Sequence, residues 1–97
     1  MTEKAENDLA EIWTYIAEDS PNNATAFINQ ITERFEPLLQ HPEIGPSRDE
    51  LAPGLRVHFH KNYAIYYTAS DEDLIIVHVV HGSRDAVALF AESGADH

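Results

Sequence analysis

The sequence predicts an α+β fold: an N-terminal antiparallel helix hairpin packed on a small, mainly antiparallel three-stranded sheet, with a short C-terminal helical turn. Three observations predict it. Apolar residues recur at helical spacing from Ala5 to Leu38, they alternate with a period of two from Leu55 to Tyr67, and Leu74 to Val80 is a dense apolar run bounded by polar turns.

From Thr2 to Asp19 the stripe is Ala5, Leu9, Ile12, Trp13 and Ile16, with Glu6, Asp8, Glu11 and Glu18 on other faces. Ser20 followed by Pro21 reads as a cap with proline at the first helical position, where its missing N–H costs nothing. Ala24, Phe27, Ile28, Ile31, Phe35 and Leu38 continue the stripe in a second helix, so a short break makes an αα-hairpin. Pro37 removes one helical hydrogen bond, and a kink or early end is expected near Glu36. Gln40 to Gly54 carries three prolines and two glycines, the composition of a long irregular crossover.

Leu55, Val57 and Phe59 then alternate with Arg56, His58 and His60, and Tyr63, Ile65 and Tyr67 repeat the alternation. A three-residue loop, His60-Lys61-Asn62, puts all six apolar side chains on one face, whereas a two-residue loop puts them on opposite faces. The three-residue loop is expected, with Asn62 in a left-handed conformation. Ser70 to Asp73 forms a solvated turn. Leu74 to Val80 is apolar on both faces and is expected to be a central strand. Val87, Leu89 and Phe90 allow one short amphipathic turn before a frayed tail.

The 97 residues, 43% hydrophobic, suit one core, so residues 1–97 are expected to form a single domain of two layers. There is no cysteine, which excludes disulfides, thiolate metal ligands and thiol nucleophiles. The polar start, Met1 to Asp8, is unlike a signal peptide, and no apolar run is long enough to span a bilayer; a cytoplasmic protein without a membrane partner is expected. The net charge of −11 with only six Lys and Arg argues against direct nucleic-acid binding, which needs cations to displace phosphate counterions. Lys4 and Arg34 lie among acidic residues of the helical part, while Arg48, Arg56, Lys61 and Arg84 lie on or beside the strands. This polarity favours a protein partner. No cofactor is expected. His58, His60 and His81 have no fixed ligand spacing and do not amount to a metal site. His78, within an apolar strand, reads as a hydrogen-bonded core histidine.

Five segments taken together carry a family resemblance: Ala5-x-x-Asp8-Leu9, Ile12 to Pro21, Pro42-Glu43-Ile44-Gly45 through Gly54-Leu55-Arg56, Asn62 to Tyr67, and Val79-Val80-His81-Gly82-Ser83-Arg84-Asp85. With them the chain resembles the RelE/ParE superfamily of type II toxin–antitoxin toxins, and most closely its ParE branch. The resemblance implies a toxin neutralised by a ParD-like antitoxin, with which it forms a hetero-oligomer, and inhibition of DNA gyrase by protein–protein binding without catalysis. Family members usually begin with a β-strand before the first helix, whereas only Met1 to Lys4 precede Ala5 here, so that either the strand is missing or the true start lies upstream. Absence of the strand implies a sheet edge open to another chain unless the C-terminal segment covers it.

On this reading there are no catalytic residues. Arg84 and His81, then Arg56 and Lys61, are the expected target-binding residues because the few cations of an acidic chain gather there. The antitoxin is expected on Trp13, Ile16, Phe27 and Ile31. The related RelE branch implies an alternative, ribosome-dependent cleavage of messenger RNA, for which His58 and Tyr66 are expected on the same face as Arg56. A non-toxic antitoxin-binding module is the third alternative.

Overall fold

The computed structural model describes residues 1–70 and 72–95. In chain order it contains α1 (Glu3–Ala17), α2 (Pro21–Thr32), α3 (Phe35–Gln40), a single 3-10 turn at Pro42–Ile44, β1 (Arg56–His60), β2 (Tyr63–Ala69), β3 (Leu74–His81) and α4 (Ala86–Ala95). The expected α+β architecture is present. Thr2 caps α1 by accepting from the Ala5 N–H at 3.1 Å, and Ser20 caps α2 by accepting from the Asn23 N–H at 3.2 Å. The helical break falls at Glu33–Arg34 rather than near Glu36. A proline ring collides with the carbonyl four residues earlier, here that of Glu33, so the chain bends there and leaves Pro37 in the first turn of α3. At the other end the C-terminal segment is a ten-residue helix rather than a short turn.

The sheet order is β1-β2-β3, antiparallel throughout. Its central strand is β2, so Leu74 to Val80 lies at an edge, contrary to expectation. The hairpin differs as well. His60 pairs with Tyr63 and Val57 with Tyr66, leaving a two-residue loop whose first member, Lys61, takes the positive φ of 54°, as a type II′ turn requires of that position. For a side chain other than glycine this backbone costs roughly 1–2 kcal/mol.

The register distributes the two apolar trios between faces, and both faces are covered. Ile65, Tyr67, Ile76 and Val79 pack against Ala5, Leu9, Ile12, Ile31 and Leu38 of the helices. On the other face Leu55, Val57, Ala64, Tyr66 and Val80 pack against Phe90 of α4, with Leu51 and Ala52 from the crossover. One strand-face rule therefore did not apply. Phe59, expected inside, is 54% exposed.

Neither sheet edge is bare along its length. At β3 the pairing of Tyr66 with His78 and of Tyr67 with Ile76 leaves Val77 as the extra residue of a bulge. The outward carbonyls there meet Thr2: its N–H donates to Ile76 O at 3.0 Å, and its hydroxyl lies 2.9 and 3.0 Å from Ile76 O and Val77 O. Beside them Asp8 Oδ2 accepts from the Val79 N–H at 3.0 Å and from His78 Nδ1 at 2.8 Å. The start of α1, not the C-terminal segment, thus closes the edge expected to be open. At β1, Val57 N–H donates to Pro46 O and Arg48 N–H to Leu55 O, so the crossover covers the first half of that strand.

The crossover is pinned by Tyr67, whose hydroxyl donates to Pro42 O and accepts from the buried Gly45 N–H at 3.0 Å. A Cβ on Gly45 would meet the Tyr67 hydroxyl and lie 2.5 Å from Val57 O. Gly45→Ala is expected to lower stability by about 1–3 kcal/mol, read as a lower urea midpoint. An unchanged midpoint would mean that the crossover is not held this closely.

Candidate functional site

The proposed contact residues are positioned by the hairpin end of the sheet. Gly82 N–H donates to Asn62 O at 2.6 Å, tying the Lys61-Asn62 turn to the segment after β3. Four rings line this end in sequence. His60 and Phe27 have centroids 5.8 Å apart, Phe27 and Tyr63 5.3 Å, and Tyr63 and His81 5.4 Å. Lys61 Nζ lies 5.8 Å above the Phe27 ring, within cation–π range.

His81 is exposed, and its Nδ1 accepts from the Ser83 N–H at 3.2 Å with Ser83 Oγ at 2.7 Å. In the neutral ring this leaves the proton on Nε2. Arg84 is exposed and lines a small pocket of about 160 Å³ with His81, Tyr63, Tyr15, Asp8 and Glu11. Asp85 does not bridge to Arg84; its carboxylate accepts from the Ala88 N–H at 3.2 Å and caps α4.

Three of the four expected target-binding residues, Lys61, His81 and Arg84, therefore share one end of the molecule. Arg56 does not join them. It is half-buried at the far end of β1, where its Nη1 donates to Gly45 O at 2.8 Å. Two exposed aromatic residues that the sequence did not single out for this surface belong to it: Phe59, over Gly82, and Tyr15, which is 72% exposed. Tyr15 falls off the apolar stripe of α1, and that is the signal available in the sequence; Phe59 gave none, because its alternation matches that of buried neighbours.

The face expected for an RNA-cleaving cluster does not form. Arg56 and His58 pair with Tyr67 and Ile65 and face the helices, while Tyr66 is buried against Phe90 on the opposite face, their rings 5.0 Å apart. The two-residue turn causes this separation.

Of the expected antitoxin contacts, Trp13 is at the rim of the helix hairpin, with its indole N–H donating to Thr25 Oγ1 at 3.1 Å. Ile16 and Phe27 are partly buried. Ile31 is completely buried and offers no contact surface. His78, as expected for a core histidine, is buried and bonded through Nδ1 to Asp8, while its Nε2 meets no polar partner. No group of residues able to hold a metal ion is present among the described residues, and no helix among them is long and apolar enough to cross a membrane.

A helix hairpin laid on a three-stranded antiparallel sheet, presenting exposed aromatic and cationic side chains at one sheet end, defines a small α+β domain. Residues 1–86 match the family model described as ParE toxin of type II toxin-antitoxin system, parDE, and the chain belongs to that family. It is similar to Toxin ParE3 of Caulobacter vibrioides, with 28% identity over 88 residues, covering 90% of this chain and 88% of the relative. Its fold is similar to that of a solved chain described as the chromosomal ParDE TA system from P. aeruginosa. That match has a TM-score of 0.68 at 24% identity and covers 82% of this chain and 89% of the other.

Proposed function

We propose that this ParE-family toxin acts in the cytoplasm by binding DNA gyrase through the hairpin end of its sheet, without catalysis, and is neutralised by a ParD-like antitoxin. The observation that supports this reading most is the convergence of Phe59, Lys61, His81 and Arg84 on one end of an acidic molecule, with Tyr15 beside them. Exposed aromatic rings next to a few cations are the composition of a protein-binding hot spot, and a net charge of −11 opposes nucleic acid as the direct target. The antitoxin is assigned to the flank of the helix hairpin around Trp13, Ile16 and Phe27.

The test is supercoiling by purified gyrase with the folded chain, alone and with its antitoxin. Wild-type inhibition, relieved by the antitoxin, is expected. Arg84→Glu, at an exposed position, is expected to weaken gyrase binding about thirtyfold, which corresponds to roughly 2 kcal/mol. Full inhibition by folded Arg84→Glu would remove Arg84 from the contact surface. No inhibition by folded wild-type chain would overturn the gyrase assignment.

A further inference from the structure

Beside the proposed gyrase-contact surface, and sharing Lys61 with it, lies a cleft of about 450 Å³ lined by Gln30, Glu33, Arg34, His60 and Lys61. It sits where the end of α2 passes over the β1–β2 turn. In a chain with seventeen Asp and Glu to six Lys and Arg, neither Arg34 nor Lys61 has a carboxylate within ion-pair distance among the described residues. Lys61 is also the one described residue other than glycine with a positive φ. Glycine or asparagine suits that position better, and Asn62 is the next residue. Strained backbone retained at a charged side chain is a pointer to function.

Two histidines complete the cluster. His60 is buried and its Nε2 lies 3.1 Å from Gln30 Oε1, which orients the ring by an Nε2–H donor. His58 is the half-buried neighbour on the same face of β1. Burial, and then the Arg34 guanidinium, hold the His58 imidazole below its ordinary pKa; burial, Arg34, Lys61 and His58 do the same to His60. Glu33 is the only carboxylate lining the cleft among the described residues.

We infer that Arg34, Lys61, His58 and His60 form a binding site for a small oxyanion of phosphate size, free or carried on a small molecule. Two uncompensated cations at the mouth of a concave site supply the attraction. The histidines add to it when protonated, and Gln30 fixes the His60 ring. A long polyanion is disfavoured because the acidic surface beyond the cleft repels it.

The sign of the pH dependence follows. A histidine whose folded pKa is depressed takes up protons more readily in the unfolded chain, so its effect on stability is absent well above pH ~6.5 and becomes a loss as pH falls through that value. An anion bound beside the rings raises their folded pKa and removes part of that loss. Anion affinity is therefore expected to rise as pH falls from about 8 to about 5.5.

Sulfate is the suitable probe, since it remains a dianion throughout this range and any pH dependence belongs to the protein. The measurement is histidine-ring NMR of the full chain titrated with sulfate at both pH values. About tenfold tighter binding at the lower pH is expected, with the ring signals of His58 and His60 moving and those of exposed His41 not. Lys61→Gly suits the turn and keeps the fold, and it is expected to weaken sulfate binding about tenfold; Glu33→Gln is expected to strengthen it. Unmoved His58 and His60 signals, or an equal response in folded Lys61→Gly, would overturn the site. Inorganic phosphate and a phosphate-bearing small molecule in parallel titrations distinguish the free from the carried anion. Tighter binding of a short single-stranded oligonucleotide than of either would overturn the assignment to a small ligand.

Discussion

Asp8→Ala is expected to cause the largest loss of stability among the substitutions considered. The Asp8 carboxylate is the common acceptor for Val79 N–H and His78 Nδ1, and both donors are buried. Removing it leaves two donors without partners, at about 1–3 kcal/mol each, in a domain whose whole stability is on the order of 5–15 kcal/mol. Asp8→Asn keeps one acceptor oxygen and is expected to lose about half as much. Urea unfolding of the three proteins gives the magnitudes, and amide exchange at Val79 locates the effect. Slow exchange at Val79 in Asp8→Ala would show that α1 does not hold this edge through the carboxylate.

Ile31→Ala is expected to cost about 2–5 kcal/mol. Its side chain is enclosed between the helices and the sheet, with Leu38, Ile65 and Tyr67 in the same cluster, so truncation leaves a cavity that rigid neighbours cannot fill. The contrast with Trp13→Ala is the informative part. Trp13 is 38% exposed, and its loss is expected to change antitoxin affinity far more than the unfolding midpoint. Ile31→Ala is expected to do the reverse. A stability loss below about 1 kcal/mol for Ile31→Ala would mean that the hairpin repacks around the site.

The helices were legible because their signals are local. Ser20 and Pro21 fix the start of α2 within a turn, and the apolar stripe names the buried face. The strand register was not, because alternation selects the three-residue loop only if the sheet buries a single face. With α4 and the crossover on the second face, Val57 and Ile65 are each buried on opposite sides, and alternation alone does not distinguish the two arrangements. Asp8 shows the same limit in another form. Its partners lie 70 and 71 positions away, so among the four acidic residues of α1, Glu3, Glu6, Asp8 and Glu11, nothing local marks it as structural. At the hairpin end, the scarcity of positive charge singled out Lys61, His81 and Arg84, but their meeting point depended on a two-residue turn, and so did the exposure of Phe59.

The unequal edges of the sheet set a limit on growth by strand addition. Thr2 and Asp8 occupy the outward backbone groups of β3 around its bulge, whereas on β1 the groups of Phe59, beyond the reach of Pro46 and Arg48, point away from β2 by the alternation of an antiparallel ladder. Repeated head-to-tail stacking needs two receptive edges on every copy. A molecule with one can pair with a single further strand and then has nothing left to offer, so a chain that accumulates ahead of its antitoxin is protected from fibre formation by the first residues of α1.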